Sequence, residues 1–236
     1  MKKGDVRKQQ ILETAERLFY QNGYENTSVQ MILDEMNLSK GGFYHHFESK
    51  LSLLEAICVR KAEESYENVE QVVYDMDANA LTKLNALLGR SGLFDQDSMD
   101  FIALMLQVAY REGSILLRER MKQASMARAL TYMHVIISQG IREKVFYTPH
   151  REEIGKMLLM LGHNLTDEIA SAIASDGPAH SIIGKVVSLL ETYRHSIELI
   201  LNAPYGSIVL YDVYKIVDMY CKIKGLITPP EFIVED

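Results

Sequence analysis

Apolar residues recur along this chain at the spacing of helices. Ile11, Leu12, Ala15, Leu18 and Phe19 form one stripe of a helix, and Gly23 follows as its stop. Thr27 and Ser28 are N-cap candidates for a short second helix whose Val29, Ile32, Leu33 and Met36 share a face and which Asn37 ends. Ser39 opens a third short helix through Phe47, and a longer fourth one runs from Glu48 to about Tyr74 with Leu51, Leu54 and Cys58 on one side. Beyond it, Gly, Asp and Pro punctuation predicts helices over roughly 79–90, 98–112, 114–145, 150–175, 179–202 and 206–223. Ser207–Tyr211 is the most strand-like run, and it is short. The pattern predicts an all-α protein: an N-terminal helix-turn-helix three-helix domain over residues 1–50 and a larger C-terminal helical domain over residues 51–236, ending in a tail from Thr228 with Pro229-Pro230.

Composition narrows the class. With 47% hydrophobic and 24% charged residues in 236, the chain has the make-up of an ordinary globular protein. Its net charge of -7 argues against indiscriminate coating of nucleic acid. Residues 1–50 nonetheless hold seven Lys/Arg against seven Asp/Glu, so the acidity lies entirely in the rest and a local basic face remains available to an anionic partner. Two cysteines, Cys58 and Cys221, exclude a disulfide framework and a four-cysteine zinc site. Met1–Gln10 is charged where a signal peptide needs an apolar stretch, and no apolar run approaches the ~18 residues of a membrane span. A cytoplasmic location with no membrane partner is the expectation.

Residues 27–47, TSVQMILDEMNLSKGGFYHHF, carry the candidate chemistry. A two-turn helix, a tight turn near Asn37-Leu38 and a second helix make a helix-turn-helix, in which the start of the second helix points at base edges. Thr27, Ser28 and Ser39 place hydroxyls and free backbone N–H groups at helix starts, where the dipole favours phosphate. Lys40 can bond guanine O6 and N7, and Gly41 and Gly42 let the backbone come close to a groove. Tyr44, His45 and His46 are donors of short reach suited to phosphate oxygens, and Lys50 supplies a fixed positive charge.

The run Ile11–Ala56 resembles the N-terminal domain of the TetR family of bacterial transcriptional regulators. The likeness rests on Leu18-Phe19, Gly23-Tyr24, Thr27, Gly41 or Gly42 through Tyr44-His45-His46-Phe47, and Lys50 with Leu53. It implies a homodimer whose Ser39–Phe47 helix enters the major groove of an operator, with Tyr44, a neighbouring His and Lys50 gripping phosphates. Met36-Asn37 stands where the family more often has Ala-Gly, and Gly41-Gly42 leaves the recognition helix poor in long base-reading side chains. The resemblance further implies a variable helical ligand-binding and dimerisation region, with a bend near Gln139-Gly140 through Val145-Phe146.

The later helices ask for a partner on their own account. Gly155 and Gly162 share a helix face, each costing about 1 kcal/mol relative to Ala unless another backbone approaches closely. The next helix, from Ile182 to Ile200, has an apolar arc too wide for one buried stripe, so residues 150–202 are the expected dimer interface. Phe101, Met105, Tyr110, Met133, His134, Met160, His163 and Asn164 mix aromatic, thioether and polar groups among aliphatic ones and are the candidate lining of a pocket for an apolar or amphipathic small molecule. His163 and Asp167, four apart, lack a third metal ligand, so neither a metal nor any cofactor is implied. No phosphate loop, Gly-x-Ser-x-Gly elbow, His-Glu-x-x-His or Cys-x-x-Cys is present, so an enzyme is not expected. The expected function is a ligand-responsive repressor released from its operator by a small molecule. The alternative is a DNA-bound interaction protein of the same fold that recruits or blocks a protein partner.

Overall fold

The first helix, α1 (Lys3–Asn22), buries Ile11, Leu12, Ala15, Leu18 and Phe19, the stripe its sequence sets out, and Gly23 ends it with φ +80°. The computed structural model describes residues 3–90, 99–110 and 115–226, and no strand occurs among them. Next come α2 (Val29–Glu35), α3 (Lys40–Tyr44), α4 (Lys50–Val73) and α5 (Ala80–Arg90). They are followed by α6 (Met99–Val108), α7 (Ile115–Arg142), α8 (Arg151–Ala174), α9 (Ala179–Leu201) and α10 (Val213–Lys224). Nine of the predicted helices appear with ends shifted by a few residues, the predicted tail lies outside the described residues, and the last helix begins later than expected.

The expected helix over 206–223 starts only at Val213, where the Asp212 carboxylate caps it by accepting from the Tyr214 N–H at 2.9 Å and the Lys215 N–H at 3.4 Å. Ahead of it residues 207–212 run extended across α5 as a strap. The Asn85 side chain stands in for a neighbouring strand: its amide donates to the Ser207 carbonyl at 3.0 Å, and its oxygen accepts from the Val209 N–H at 2.9 Å. Ile208 and Leu210 are thereby driven into the core. A Cβ on Gly89 would stand 2.8 Å from the Leu210 carbonyl, so only glycine lets the strap lie this close.

Two apolar cores result. One joins α4, α5, α7, α8, α9, the strap and α10. The other holds α1, α2 and α3 against the first turns of α4 and draws in Phe101, Leu104, Met105, Ala109 and Leu117. The core of the amino-terminal unit continues past residue 50. It includes Leu53, Leu54, Ile57 and Cys58 of α4, and α6 inserts into it from the larger body.

Gly155 and Gly162 turn out to serve the fold of the single chain. A Cβ on Gly155 would meet Met133 Cγ at 3.1 Å and Ile137 Cδ1 at 3.4 Å, which is the packing of α8 on α7. Gly162 lies against Leu88 of α5. Neither glycine therefore requires a second subunit. The α9 arc is also largely spent inside the subunit, where Ile182, Ile183, Val186, Val187, Leu190, Ile197 and Leu201 are buried. The expected bend after α7 is present. Gly140 accepts from the Val145 and Phe146 N–H groups, and a Cβ there would run into the buried Phe146 ring.

Candidate nucleic-acid interface

Ser28 and Ser39 cap the two short helices. Ser28 Oγ accepts from the Met31 N–H at 3.2 Å, and Ser39 Oγ from the Gly42 N–H at 3.2 Å. The turn between them hangs on Asn37, which takes φ +47°, a left-handed conformation that Asn tolerates better than other residues carrying a Cβ. This accounts for Asn where the family more often has Gly. The chain closes with the Leu38 N–H donating to the Leu33 carbonyl at 2.9 Å.

A five-residue helix cannot hold itself in water, so tertiary contacts set where α3 points. Phe43 is fully buried, with Tyr44 edge-on at 5.3 Å between ring centroids and Phe47 at 5.9 Å. The opposite face is left to solvent: Ser39, Lys40, Gly41, Tyr44 and His45 are exposed, and Tyr44 is 54% exposed. His46, half-buried, stacks edge-on to His45 at 4.9 Å. A Cβ on Gly41 would meet nothing, whereas one on Gly42 would stand 2.7 Å from Leu38 Cδ1. Gly41 thus leaves the outer face flat, and Gly42 permits the turn.

Two expected contacts are corrected. Thr27 is fully buried, its hydroxyl 3.1 Å from the Leu18 carbonyl and 2.9 Å from that of Gly23, so it closes the α1–α2 connection and is turned away from any phosphate. Lys50 is half-buried. Its Nζ donates to the Tyr24 carbonyl at 2.8 Å and lies 4.2 Å from the centroid of the Tyr24 ring, so it is held against the same connection.

Behind this face, Glu16 of α1 is gripped by Arg60 and by Lys61 Nζ at 3.0 Å, both on α4, and accepts from the Tyr20 hydroxyl at 2.6 Å. Arg120 of α7 pairs with Glu55 of α4. The helix that follows the short pair is therefore tied both to α1 and to the larger body.

The eight candidate ligand residues do not line one cavity. Phe101 and Met105 belong to the amino-terminal core, where Met105 Sδ lies 3.5 Å from Cys58 Sγ. Met133 is buried in the other core, while His134, Met160 and Asn164 are exposed. Phe101 and Met105 are one turn apart on α6, and Met160, His163 and Asn164 fall within one turn of α8, whereas Tyr110, just past α6, and His163 share Asp167 as a neighbour in a polar junction with α7 and α8 that sequence reading missed. There the Tyr110 hydroxyl donates to Asp167 at 2.8 Å, Lys122 pairs with the same carboxylate, and Arg118 sits 5.2 Å above the Tyr110 ring. These partners are separated by 8 to 57 positions in sequence, and no periodicity marks them. The Asp167 carboxylate thus serves both Tyr110 and Lys122.

Burial, reinforced by Lys122, holds the His163 imidazole below the ordinary histidine range. On acidification the unfolded chain takes up this proton first, so the stability associated with neutral His163 is complete above about pH 6.5 and is lost as pH falls below it. His163→Gln is expected to flatten the acid side of a stability profile measured by urea melts across that range. An equally steep acid side in the variant would show that the imidazole's burial is not felt.

A short capped helix displayed beyond a left-handed turn, on a larger helical body, defines the helix-turn-helix class. The profile of bacterial regulatory proteins of the tetR family matches residues 11–57. The HTH-type transcriptional regulator YerO of Bacillus subtilis is 33% identical over 101 residues, which cover 42% of this chain and 35% of that protein. The HTH-type transcriptional repressor AcnR of Corynebacterium diphtheriae is 37% identical over 79 residues, 31% of this chain and 42% of that one. The match thus spans well under half of these relatives, which are named as regulators and repressors, not enzymes. The crystal structure of a TetR-family regulator from Pectobacterium atrosepticum superposes over 85% of this chain and 97% of its own, with TM-score 0.57 and 18% identity. FadR from Bacillus subtilis, in complex with stearoyl-CoA, does so over 84% and 99%, with TM-score 0.54 and 18% identity. Residues 11–57 are thus similar to the tetR family of bacterial regulatory proteins, and the fold of the described chain is that of the two superposed structures.

Proposed function

We propose that the chain is a cytoplasmic, ligand-responsive transcriptional regulator that occupies an operator as a homodimer and leaves it when a small molecule binds. The observation that carries this reading is the outer face of α3, where Ser39, Lys40, Gly41, Tyr44 and His45 are exposed together on a helix fixed from behind by Phe43. Lys40, near the helix start, reads a base edge, and Tyr44 and His45 bond phosphates. Ser28 supports α2 with its cap and adds backbone N–H groups at that helix start.

Residues 1–50 supply the DNA contacts, and residues 51–236 supply dimerisation and ligand sensing. Two copies are needed to read half-sites about 34 to 36 Å apart. Met157 and Met160 on α8 and Leu199 on α9, all at least half exposed, support α8 and α9 as the shared surface. The stearoyl-CoA held by a protein of the same fold supports an amphipathic effector.

The test is binding to fragments of the promoter beside the chain's own gene, with each base pair varied in turn. Tyr44→Ala is expected to weaken binding at least about tenfold and equally for all variants, because a hydrogen bond to a charged phosphate is worth about 1.5 to 3 kcal/mol. Lys40→Ala is expected to lose discrimination at one position in each half-site. A protein that ignores every fragment, or a Tyr44→Ala loss confined to one base pair, contradicts the assignment.

A further inference from the structure

If α3 meets a duplex, the family's pattern assigns a phosphate grip to Lys50, yet the Nζ of this lysine is held inward by the Tyr24 carbonyl and ring. The structure supplies a replacement from another helix. Glu16 of α1 lies beside Arg60 and Lys61 of α4, and Lys8 of α1 has its Nζ 6.0 Å from the ring of Phe47, just ahead of α4. The two helices therefore run side by side in the same direction, with their starts at the end of the molecule where Tyr44 to Phe47 emerge. α1 begins at Lys3, five residues before Lys8, and so extends about 7 Å further that way at 1.5 Å per residue. Lys8 is exposed and makes no ion pair among the described residues.

Its position also suits that role, since the ring it lies beside, Phe47, follows two residues after the exposed Tyr44-His45 pair. Arg17, the other exposed cation of α1 near α2, is already paired with Glu35 at 2.6 Å. We propose that Lys8, from the start of α1, is the phosphate-gripping cation beside the recognition helix, in the place the family pattern gives to Lys50. This rests on the DNA-binding reading above and adds to it a residue outside the matched span of 11–57.

Phosphate contacts are independent of sequence, so a short duplex of mixed sequence serves as the probe, titrated by fluorescence anisotropy over a salt series with wild type, Lys8→Gln, Lys50→Gln and Lys40→Gln. Each lost phosphate contact makes the log-log salt slope shallower by about 0.9 per subunit engaged. Lys8→Gln is expected to show that change with an unaltered thermal melt, since the side chain is exposed. Lys50→Gln is expected to keep the wild-type slope and to melt earlier, because the Tyr24 carbonyl loses its donor. A Lys8→Gln slope equal to wild type, or the slope change appearing in Lys50→Gln instead, overturns this assignment alone. Wild-type protein that fails to bind the duplex even at low salt overturns it together with the DNA-binding reading.

Discussion

Phe43→Ala is expected to cost about 3 to 5 kcal/mol, the usual range for emptying a buried phenylalanine site, and to melt the amino-terminal unit ahead of the rest of the chain. Phe43 is fully buried among Ile32, Leu33 and Phe47, in a core whose helices α2 and α3 have seven and five residues. Helices so short contribute little stability of their own, so the packing of their few buried side chains is what holds them. Against a whole-domain stability of about 5 to 15 kcal/mol the loss is large. Circular dichroism melts are expected to show an early transition, and DNA binding is expected to disappear with it. Tyr44→Ala, on the exposed side of the same helix, is expected to leave the melt nearly unchanged while weakening binding. If the two variants melt alike, α3 is not oriented from within in the way described.

Glu198→Ala ranks second, at about 3 kcal/mol. This carboxylate is 3% exposed, accepts from the buried Ile208 N–H at 3.2 Å, and lies 3.3 Å from Arg194 Nη1. Its removal leaves an N–H without a partner inside the core and loosens the strap at the point where Ile208 enters. The figure sits at the lower end of the range for broken buried ion pairs, because Arg194 is partly exposed and keeps its contact with Tyr205. Glu198→Gln preserves an acceptor for Ile208 and is expected to recover roughly half of the loss. Urea melts of the three proteins decide the matter. Equal midpoints for Glu198→Ala and wild type would mean that the strap is anchored by Asn85 alone.

Much of the local anatomy is legible in the sequence alone. Gly23 stops α1 and Ser28 and Ser39 cap their helices as their types suggest, because capping and left-handed turns depend on neighbours within four residues. The outer face of α3 was legible too, since Phe43 and Phe47 fall on one side of a helix and Lys40, Tyr44 and His45 do not. Thr27 and Lys50 depart from expectation for a shared reason. Both have the right chemistry for phosphate, but carbonyls of the α1–α2 connection, brought near by folding, claim them first.

The candidate ligand residues show the same limit more strongly. Periodicity says that Met105 and Met133 face inward, but it does not say that one faces α1 and Cys58 and the other faces α8 and Gly155. Ser207–Tyr211 has the most strand-like pattern in the chain, but nothing within it signals that Asn85, more than 120 positions earlier, offers its amide in place of a neighbouring strand and so delays the last helix to Val213. Sequence by itself determined the helical class, the short capped pair near the start and the side of α3 that stays wet, since each follows from the order of polar and apolar groups within a few turns. Only the tertiary structure decided which cations remain free to meet an anion, how α6 divides its contacts between two cores and where the chain leaves helix for the strap. Those outcomes depend on carbonyls, carboxylates and rings that lie far apart in the chain and compete for the same partners only once it has folded.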